Sequence, residues 1–266
     1  METNTLSILV LTHSSNIKLW HSTFDLIYKF LKNIKVNVMT NDKELFINTV
    51  KYDNINIIYE YSEKNETYFM RHSTLMNMIQ DKYVINFVDN SWITKANETL
   101  LLNLLKTMEA YSIDRLALYS DQLFNGTNLL IKPVIDMDET NFITETKEYF
   151  NFSASPGIWK RKSLIEVCDT FRNLTYRETE SEPVQQFVKK NYKVYHIHST
   201  VDKMMSWNCK LVSYFEFAHL YGGSRWHPDP DSAYNNLKDT VFNLIKEYNI
   251  EYNIEPEVPY DKWNHN

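Results

Sequence analysis

The stretch Phe69 to Trp92, FMRHSTLMNMIQDKYVINFVDNSW, decides the fold. Leu75, Met76 and Ile79 recur at helical spacing, and Asp81-Lys82 breaks the pattern. Tyr83 to Val88 is then a short run of apolar, β-branched and aromatic residues, interrupted only by Asn86. A continuous run of this kind suits a strand covered on both faces, as in a parallel sheet. Asp89 stands where that strand ends. Open α/β sheets bind their ligands at that carboxyl edge. A carboxylate there is placed either to hold a divalent cation, and phosphates through it, or simply to cap the turn that follows.

The same alternation extends outward on both sides. Leu6 to Leu11 reads as a first strand, and Thr12-His13-Ser14-Ser15 supplies small hydroxylated residues to turn the chain and cap a helix. That helix runs from Trp20 to Leu31, with Trp20, Phe24, Ile27, Tyr28 and Leu31 on one face. Val36 to Met39 is a second strand, ending at Thr40-Asn41-Asp42; Lys43 to Val50 is a short helix and Ile55 to Tyr59 a third strand. Downstream, Asn97 to Tyr111 carries Leu101, Leu104, Leu105 and Met108 on one helical face, and Asp114 to Tyr119 reads as a strand with Arg115 at its start. Leu129 to Ile135 contains Pro133 and suits only an edge strand, and Phe142 to Phe152 reads as one strand or two. The alternation predicts an α/β chain with a mostly parallel central sheet and helices on both faces.

Composition narrows the function. Of 266 residues, 43% are apolar and 14% aromatic, which supports a large core and argues against disorder. With only 4 glycines and no GxGxxG or Walker-type lysine motif, a glycine-rich phosphate loop is nearly excluded. A net charge of −6 argues against a nucleic-acid duplex as the main partner. The two cysteines, Cys168 and Cys209, show no metal-ligand spacing and no disulfide framework, which points to a reducing compartment. The start of the chain shows no basic segment followed by a long apolar run, so no secretory leader is expected, and a cytoplasmic location is. No apolar stretch approaches the roughly 20 residues needed to span a bilayer. No repeat or compositional break divides the chain, so residues 1–266 are expected to form one domain.

Four further segments carry candidate chemistry. Ser153-Ala154-Ser155-Pro156-Gly157-Ile158-Trp159 reads as a rigid corner in which Gly157 permits a left-handed turn or a close approach. Trp159 either stacks on a sugar ring or anchors the helix expected from Lys162 to Phe171. Thr175 to Glu182, TYRETESE, is acidic and precedes a helix from Val184 to Asn191. Thr179 and Glu182 have the spacing of a capping box, and Pro183 fits the first turn better if Ser181 is the cap. Glu180 either belongs to that helix start or aims a carboxylate into a site. Tyr192 to His198 is a strand with His196 and His198 on one face, as metal ligands or as strand residues. Tyr221 to Pro228, YGGSRWHP, is a turn-rich loop carrying Arg225 and His227, before a helix from Tyr234 to Tyr248.

In order, these segments resemble the GT-A class of nucleotide-sugar glycosyltransferases, more narrowly those of bacteria and large DNA viruses. SILVLTHSSNIKLW resembles the first strand and loop that meet the nucleotide; TLMNMIQDKYVINFVDNSWI resembles the helix, strand and acidic loop of the metal site; NFSASPGIWKRKSLIEV and RETESEP resemble the acceptor side. The likeness spans most of residues 6 to 190. Where the class carries D-x-D, this chain has Asp89-Asn90-Ser91 and keeps only the first acid.

The resemblance implies a hexosyltransferase moving a sugar from a nucleoside-diphosphate sugar to a glycan or protein acceptor. It implies a nucleotide-binding half over about 1–120, an acceptor half over about 121–230 and a C-terminal helix and tail over 231–266. Thr12, His13, Arg71, Asp89 and Arg225 are then the donor-site candidates, and Pro156, Gly157 and Trp159 the acceptor-site ones. Asp89 and His227 are the candidates to hold Mn²⁺ or Mg²⁺. Glu180, with Glu182 second, is the candidate base. Two other readings stand beside this one: a non-catalytic nucleotide-sugar or carbohydrate-binding module with a degenerate metal site, and a nucleotidyltransferase, which usually shows a glycine-rich first loop bearing Arg or Lys.

Overall fold

The computed structural model describes residues 5–118, 130–131, 141–145, 151–153, 156–199, 209–212, 215–219 and 235–250. Its first strands, β1 (Leu6–Leu11), β2 (Lys35–Thr40), β3 (Ile55–Glu60) and β4 (Tyr83–Val88), alternate with helices α1 (Ile17–Leu31), α2 (Lys43–Thr49) and α3 (Tyr68–Met78). A further strand, β5 (Ser91–Ala96), leads to α4 (Glu98–Ala110) and β6 (Arg115–Ala117). Two strands follow, β7 (Leu130–Ile131) and β8 (Asn141–Glu145), then β9 (Gly157–Lys160), α5 (Arg161–Thr170), α6 (Glu182–Asn191) and β10 (Val194–Ser199). The described chain ends with β11 (Cys209–Val212), β12 (Phe215–His219) and α7 (Asn235–Glu247).

Among the described residues, nine strands form one sheet in the order β3-β2-β1-β4-β9-β6-β10-β8-β7. β1 pairs in parallel with β2 and β4, β2 with β3, and β6 with β10. β9 lies antiparallel between β4 and β6, so those two run the same way. The carboxyl ends of β1, β2, β3, β4, β6 and β10 therefore meet at one edge. The amino end of β9 and the amino ends of α1, α3 and α6 lie at the same edge, because each of those helices reverses direction against the sheet.

Strand periodicity sends alternate side chains to opposite faces. Leu6, Ile8 and Val10 of β1 and Tyr83, Ile85 and Phe87 of β4 join Trp20, Phe24, Ile27 and Leu31 of α1 and Leu101, Leu104, Leu105 and Met108 of α4. Leu9 and Val84 point the other way, into a core with Phe69, Leu75 and Met76 of α3, Leu164 and Val167 of α5 and Val184 and Val188 of α6. Helices thus cover both faces of a mostly parallel sheet, as the alternation in the sequence requires. A smaller apolar cluster joins Leu19 and Leu26 on the outer side of α1 to Trp92 of β5 and Val241, Leu244 and Ile245 of α7.

The structure specifies three local features that the sequence left open. Pro156 and Gly157 are buried and lead into a strand: the carbonyl of Pro156 accepts a hydrogen bond from Leu118 N at 3.2 Å, and Gly157 opens β9. Gly157 is the site of a close approach between β9 and β6, since a Cβ there would lie 3.3 Å from the Leu116 carbonyl oxygen. Residues 91–96, between the acidic loop and α4, form β5 and pair antiparallel with β12. The acidic segment has its capping box at Thr175 and Glu178, and of the two caps offered for α6 Ser181 stands at the N-cap position, as the place of Pro183 in the first turn favours.

His72 gives this core a titratable member. Its ring lies in α3, 2% exposed, 4.1 Å from the ring of Tyr68, and its Nδ1–H donates to the Tyr68 carbonyl at 2.9 Å. Burial pushes its pKa down from the usual 6.5 to about 4. Between those two values the unfolded chain takes a proton that the native protein refuses. Stability is therefore expected to fall as pH drops from 6.5 towards 4, by up to about 3 kcal/mol from this residue. Urea unfolding across that range checks this, and His72→Phe should flatten that part of the profile.

Candidate functional site

The carboxyl edge is organised around Asp89. Burial of the strand that precedes it leaves the Asp89 side chain 4% exposed. An isolated carboxylate is costly there, and three N–H groups compensate. The His13 amide and the Trp20 indole Nε1–H both donate to Oδ2, each at 2.9 Å, and Asn16 Nδ2–H donates to Oδ1 at 2.9 Å. The backbone is held as well: Thr23 Oγ1–H donates to the Asp89 carbonyl at 2.8 Å, and the Asp89 amide donates to the Leu11 carbonyl at 3.0 Å. Burial raises the Asp89 pKa above the usual carboxylate value, and the donors from His13, Trp20 and Asn16 pull against it.

That anchoring fixes the loop between β1 and α1. Thr12 is fully buried: its amide and hydroxyl donate to the Met39 carbonyl at 2.7 and 3.1 Å, and its carbonyl accepts from Tyr61 Oη–H at 2.8 Å. Thr12 is thus a strut tying β1 to β2 and β3, with no side-chain group offered to a ligand. His13 is presented outward, with 41% of its side chain exposed. Its Nδ1 accepts from the Ser15 amide at 3.1 Å, which leaves the proton on Nε2, 3.1 Å from Glu63 Oε1. Asn41 completes the group: its Oδ1 accepts from the Ser14 amide at 2.8 Å, and its Nδ2–H donates to Glu63 Oε1 at 2.6 Å. Asp42, its neighbour, caps α2 by accepting from the Leu45 amide at 2.9 Å.

From this loop a row of side chains crosses the edge. The Arg71 guanidinium lies 3.9 Å from the centre of the Tyr61 ring, and its Nε–H donates to the Glu66 carbonyl at 3.0 Å. One turn earlier on α3, Tyr68 packs against Tyr176 with ring centres 5.4 Å apart. Burial pushes the Tyr68 phenol pKa well above its usual value, and the nearby Tyr176, Cys168 and Glu180 add to that. Glu180 and Glu182 are both exposed, and Glu182 is the first residue of α6, where a carboxylate complements the helix terminus.

The sequence candidates therefore separate. His13, Arg71, Asp89 and Glu180 share the carboxyl edge. Trp159 does not offer a sugar platform: it is fully buried, 5.8 Å from the Phe152 ring and 5.5 Å from the Arg115 guanidinium. Its second reading, a core anchor, is the one the structure takes. Arg225 and His227 lie outside the described residues. His196 is buried on β10, and the side chain of His198 also lies outside the described residues.

Asp89 does not fit the part of a resident Mn²⁺ or Mg²⁺ ligand. Both of its oxygens already accept N–H groups, Ser91 is fully buried in β5, and no group of three His, Cys, Asp or Glu side chains suited to a metal occurs among the described residues. Asn16, Trp20, Asn41, Tyr61 and Glu63 are the edge residues that sequence reasoning missed. One signal was available, since a buried tryptophan usually seeks an acceptor for its N–H. The others depend on which strand ends the topology brings together.

No protein-family model matches the chain, and no curated protein matches it. Among solved structures it is similar to Staphylococcus aureus TarS 1-349 in complex with UDP-GlcNAc, at 16% identity and a TM-score of 0.49, over 94% of this chain and 68% of that one. It is also similar to a cytidylyltransferase from Leptospira borgpetersenii, at 10% identity and a TM-score of 0.49, over 94% of this chain and 99% of that one. A third is 4-diphosphocytidyl-2C-methyl-D-erythritol synthase from Anaerococcus prevotii, at 12% identity and a TM-score of 0.45, over 74% and 90%. The chain spans 36% of another S. aureus TarS structure. At these scores the likeness carries no inference about activity.

Replacing Asp89 by Asn turns an NH₂ towards either Asn16 Nδ2 or the His13 and Trp20 donors. A simple turn cap would tolerate that exchange. The buried acceptor should not: Asp89→Asn is expected to lose about 1–3 kcal/mol in urea unfolding, the usual cost of leaving buried donors unsatisfied.

Proposed function

We propose that this chain is a nucleotide-sugar-dependent glycosyltransferase whose donor sits on the His13–Asn16 loop and whose acceptor approaches from the Glu180 side. One observation carries the reading. The topology places at a single sheet edge a rigid loop of polar groups and an exposed carboxylate, joined by the row from Tyr61 through Arg71 and Tyr68 to Tyr176. The edge of an open α/β sheet is where such ligands lie.

The chemistry is a displacement at the anomeric carbon. Glu180 takes the proton of the acceptor hydroxyl as its oxygen forms the new glycosidic bond. The bond from the anomeric carbon to the leaving phosphate oxygen breaks, and negative charge collects on the nucleoside diphosphate. Arg71, half-buried at this edge and held by Glu66 and Tyr61, is the described cation placed to oppose that charge. His13, Asn41 and Glu63 supply the hydrogen-bonding groups for base and ribose. The acceptor is a glycan or glycoprotein, and the donor is a UDP- or GDP-sugar. The loop THSSN carries no Arg or Lys, which speaks against nucleotidyl transfer, because a nucleoside triphosphate brings more negative charge to the first loop.

A binding module without transfer is the second reading, favoured by the occupation of both Asp89 oxygens by protein donors. Two measurements separate the readings. UDP or GDP should raise the melting temperature, since ligand bound only to the native state stabilises it, and should do so in EDTA as in Mn²⁺. No shift with either nucleotide at millimolar concentration would remove the donor site. Glu180→Gln should lower turnover of UDP-GlcNAc, UDP-glucose or GDP-mannose by ~10²–10⁴-fold, the usual contribution of a general base, with the nucleotide-induced melting shift unchanged. Glu182→Gln should leave turnover intact and cost about 1 kcal/mol or less, as a charge at a helix start does.

A further inference from the structure

We infer that Tyr176 is the platform on which a pyranose ring of the acceptor stacks. This assignment rests on the glycosyltransferase reading above and names the acceptor side of that same site. Tyr176 is 53% exposed, although an aromatic ring of this size gains by burial. It is not a loose surface residue. It opens a single turn of 3₁₀ helix at residues 176–178, closed by a capping box in which the Thr175 amide and hydroxyl donate to Glu178 Oε2 at 2.8 and 2.7 Å. The far end is tied by Thr179, 2% exposed, whose hydroxyl donates to the Tyr176 carbonyl at 2.8 Å.

One side of the Tyr176 ring packs on Tyr68, which is itself buried and stacked on His72. The exposed part is therefore presented by a fixed ring, so little side-chain entropy remains to be lost on binding. Tyr68 opens α3 and the Tyr176 turn leads into α6, and both of those helix starts lie at the carboxyl edge. Glu180 is four residues on, exposed, in the turn between residues 176–178 and the start of α6. An exposed aromatic face with a carboxylate four residues on in the same short segment matches the two surfaces of a pyranose: an apolar face of axial C–H groups and a rim of hydroxyls. Stacked on Tyr176, the sugar presents a hydroxyl to Glu180. Trp159, the aromatic that the sequence pattern nominated for this task, is buried in the core and cannot perform it.

The test uses methyl glycosides of glucose, galactose, mannose and N-acetylglucosamine as probes in saturation-transfer NMR with the full chain. Wild type should transfer saturation to at least one glycoside, most strongly to the axial protons of one ring face. Tyr176→Phe should retain the signal and Tyr176→Ala should lose most of it, with a single cooperative urea transition and the UDP- or GDP-induced melting shift kept in both. No signal from any glycoside with wild type, or equal signals from wild type and Tyr176→Ala, would overturn the platform. If nucleotides fail to shift the melt while the Tyr176-dependent sugar signal remains, the donor reading falls and the sugar site stands.

Discussion

One buried carboxylate constrains the functional edge of this molecule. Asp89 ends the central strand with its side chain almost out of water, where an anion is tolerated only if N–H groups replace the lost solvent. Those groups come from three points on one continuous segment: the backbone of His13, the amide of Asn16 and the indole of Trp20. Trp20 also belongs to the core beneath the sheet. The loop, the first helix and the end of β4 are thus positioned by the same interaction. Thr23 on α1 binds the Asp89 carbonyl, so that helix holds both ends of the residue. The outward placement of His13, Asn41 and Glu63 follows from this arrangement and not from any feature of those three side chains alone.

α3 joins the two parts of the edge. Its start is capped by Thr67, whose hydroxyl accepts from the Met70 amide at 3.3 Å and also donates to the Arg172 carbonyl, tying the helix to the segment after α5. Arg71 then reaches towards the loop through Tyr61, while Tyr68 faces Tyr176 on the other side. Gln185 of α6 exchanges two hydrogen bonds with the backbone of Phe152, at 2.9 and 2.7 Å, which sets the start of α6 against the segment leading to β9. The donor-side loop and the acceptor-side turn are in this way tied by hydrogen bonds and ring contacts to helices packed on one core, so the scaffold sets their separation.

The parallel sheet was readable because its strands are covered on both faces and leave continuous apolar runs, as Tyr83–Val88 does. Helix starts were readable where short polar residues precede an apolar period, as at Asn97, which accepts from the Leu100 amide at 3.0 Å. β9 was hidden because four residues after a proline look like a turn, and only pairing with both β4 and β6 makes them a central strand. β5 was hidden because its partner, β12, is more than a hundred residues away. The site was half readable. The place of Asp89 followed from the strand end, but its role depends on Trp20 lying beneath it, 69 positions earlier in the chain. Trp159 was misassigned as a sugar platform because an aromatic beside small residues reads alike whether it faces the core or a ligand.

The central claim is that the loop anchored by Asp89 seats a nucleotide. Its most direct test is an amide-resolved NMR titration of the full chain with UDP and, separately, GDP. The account expects the largest shift changes at the amides of His13, Ser14 and Asn41, with smaller ones at Arg71, for at least one of the two. Changes confined to residues away from the carboxyl edge, or none with either nucleotide, would contradict it.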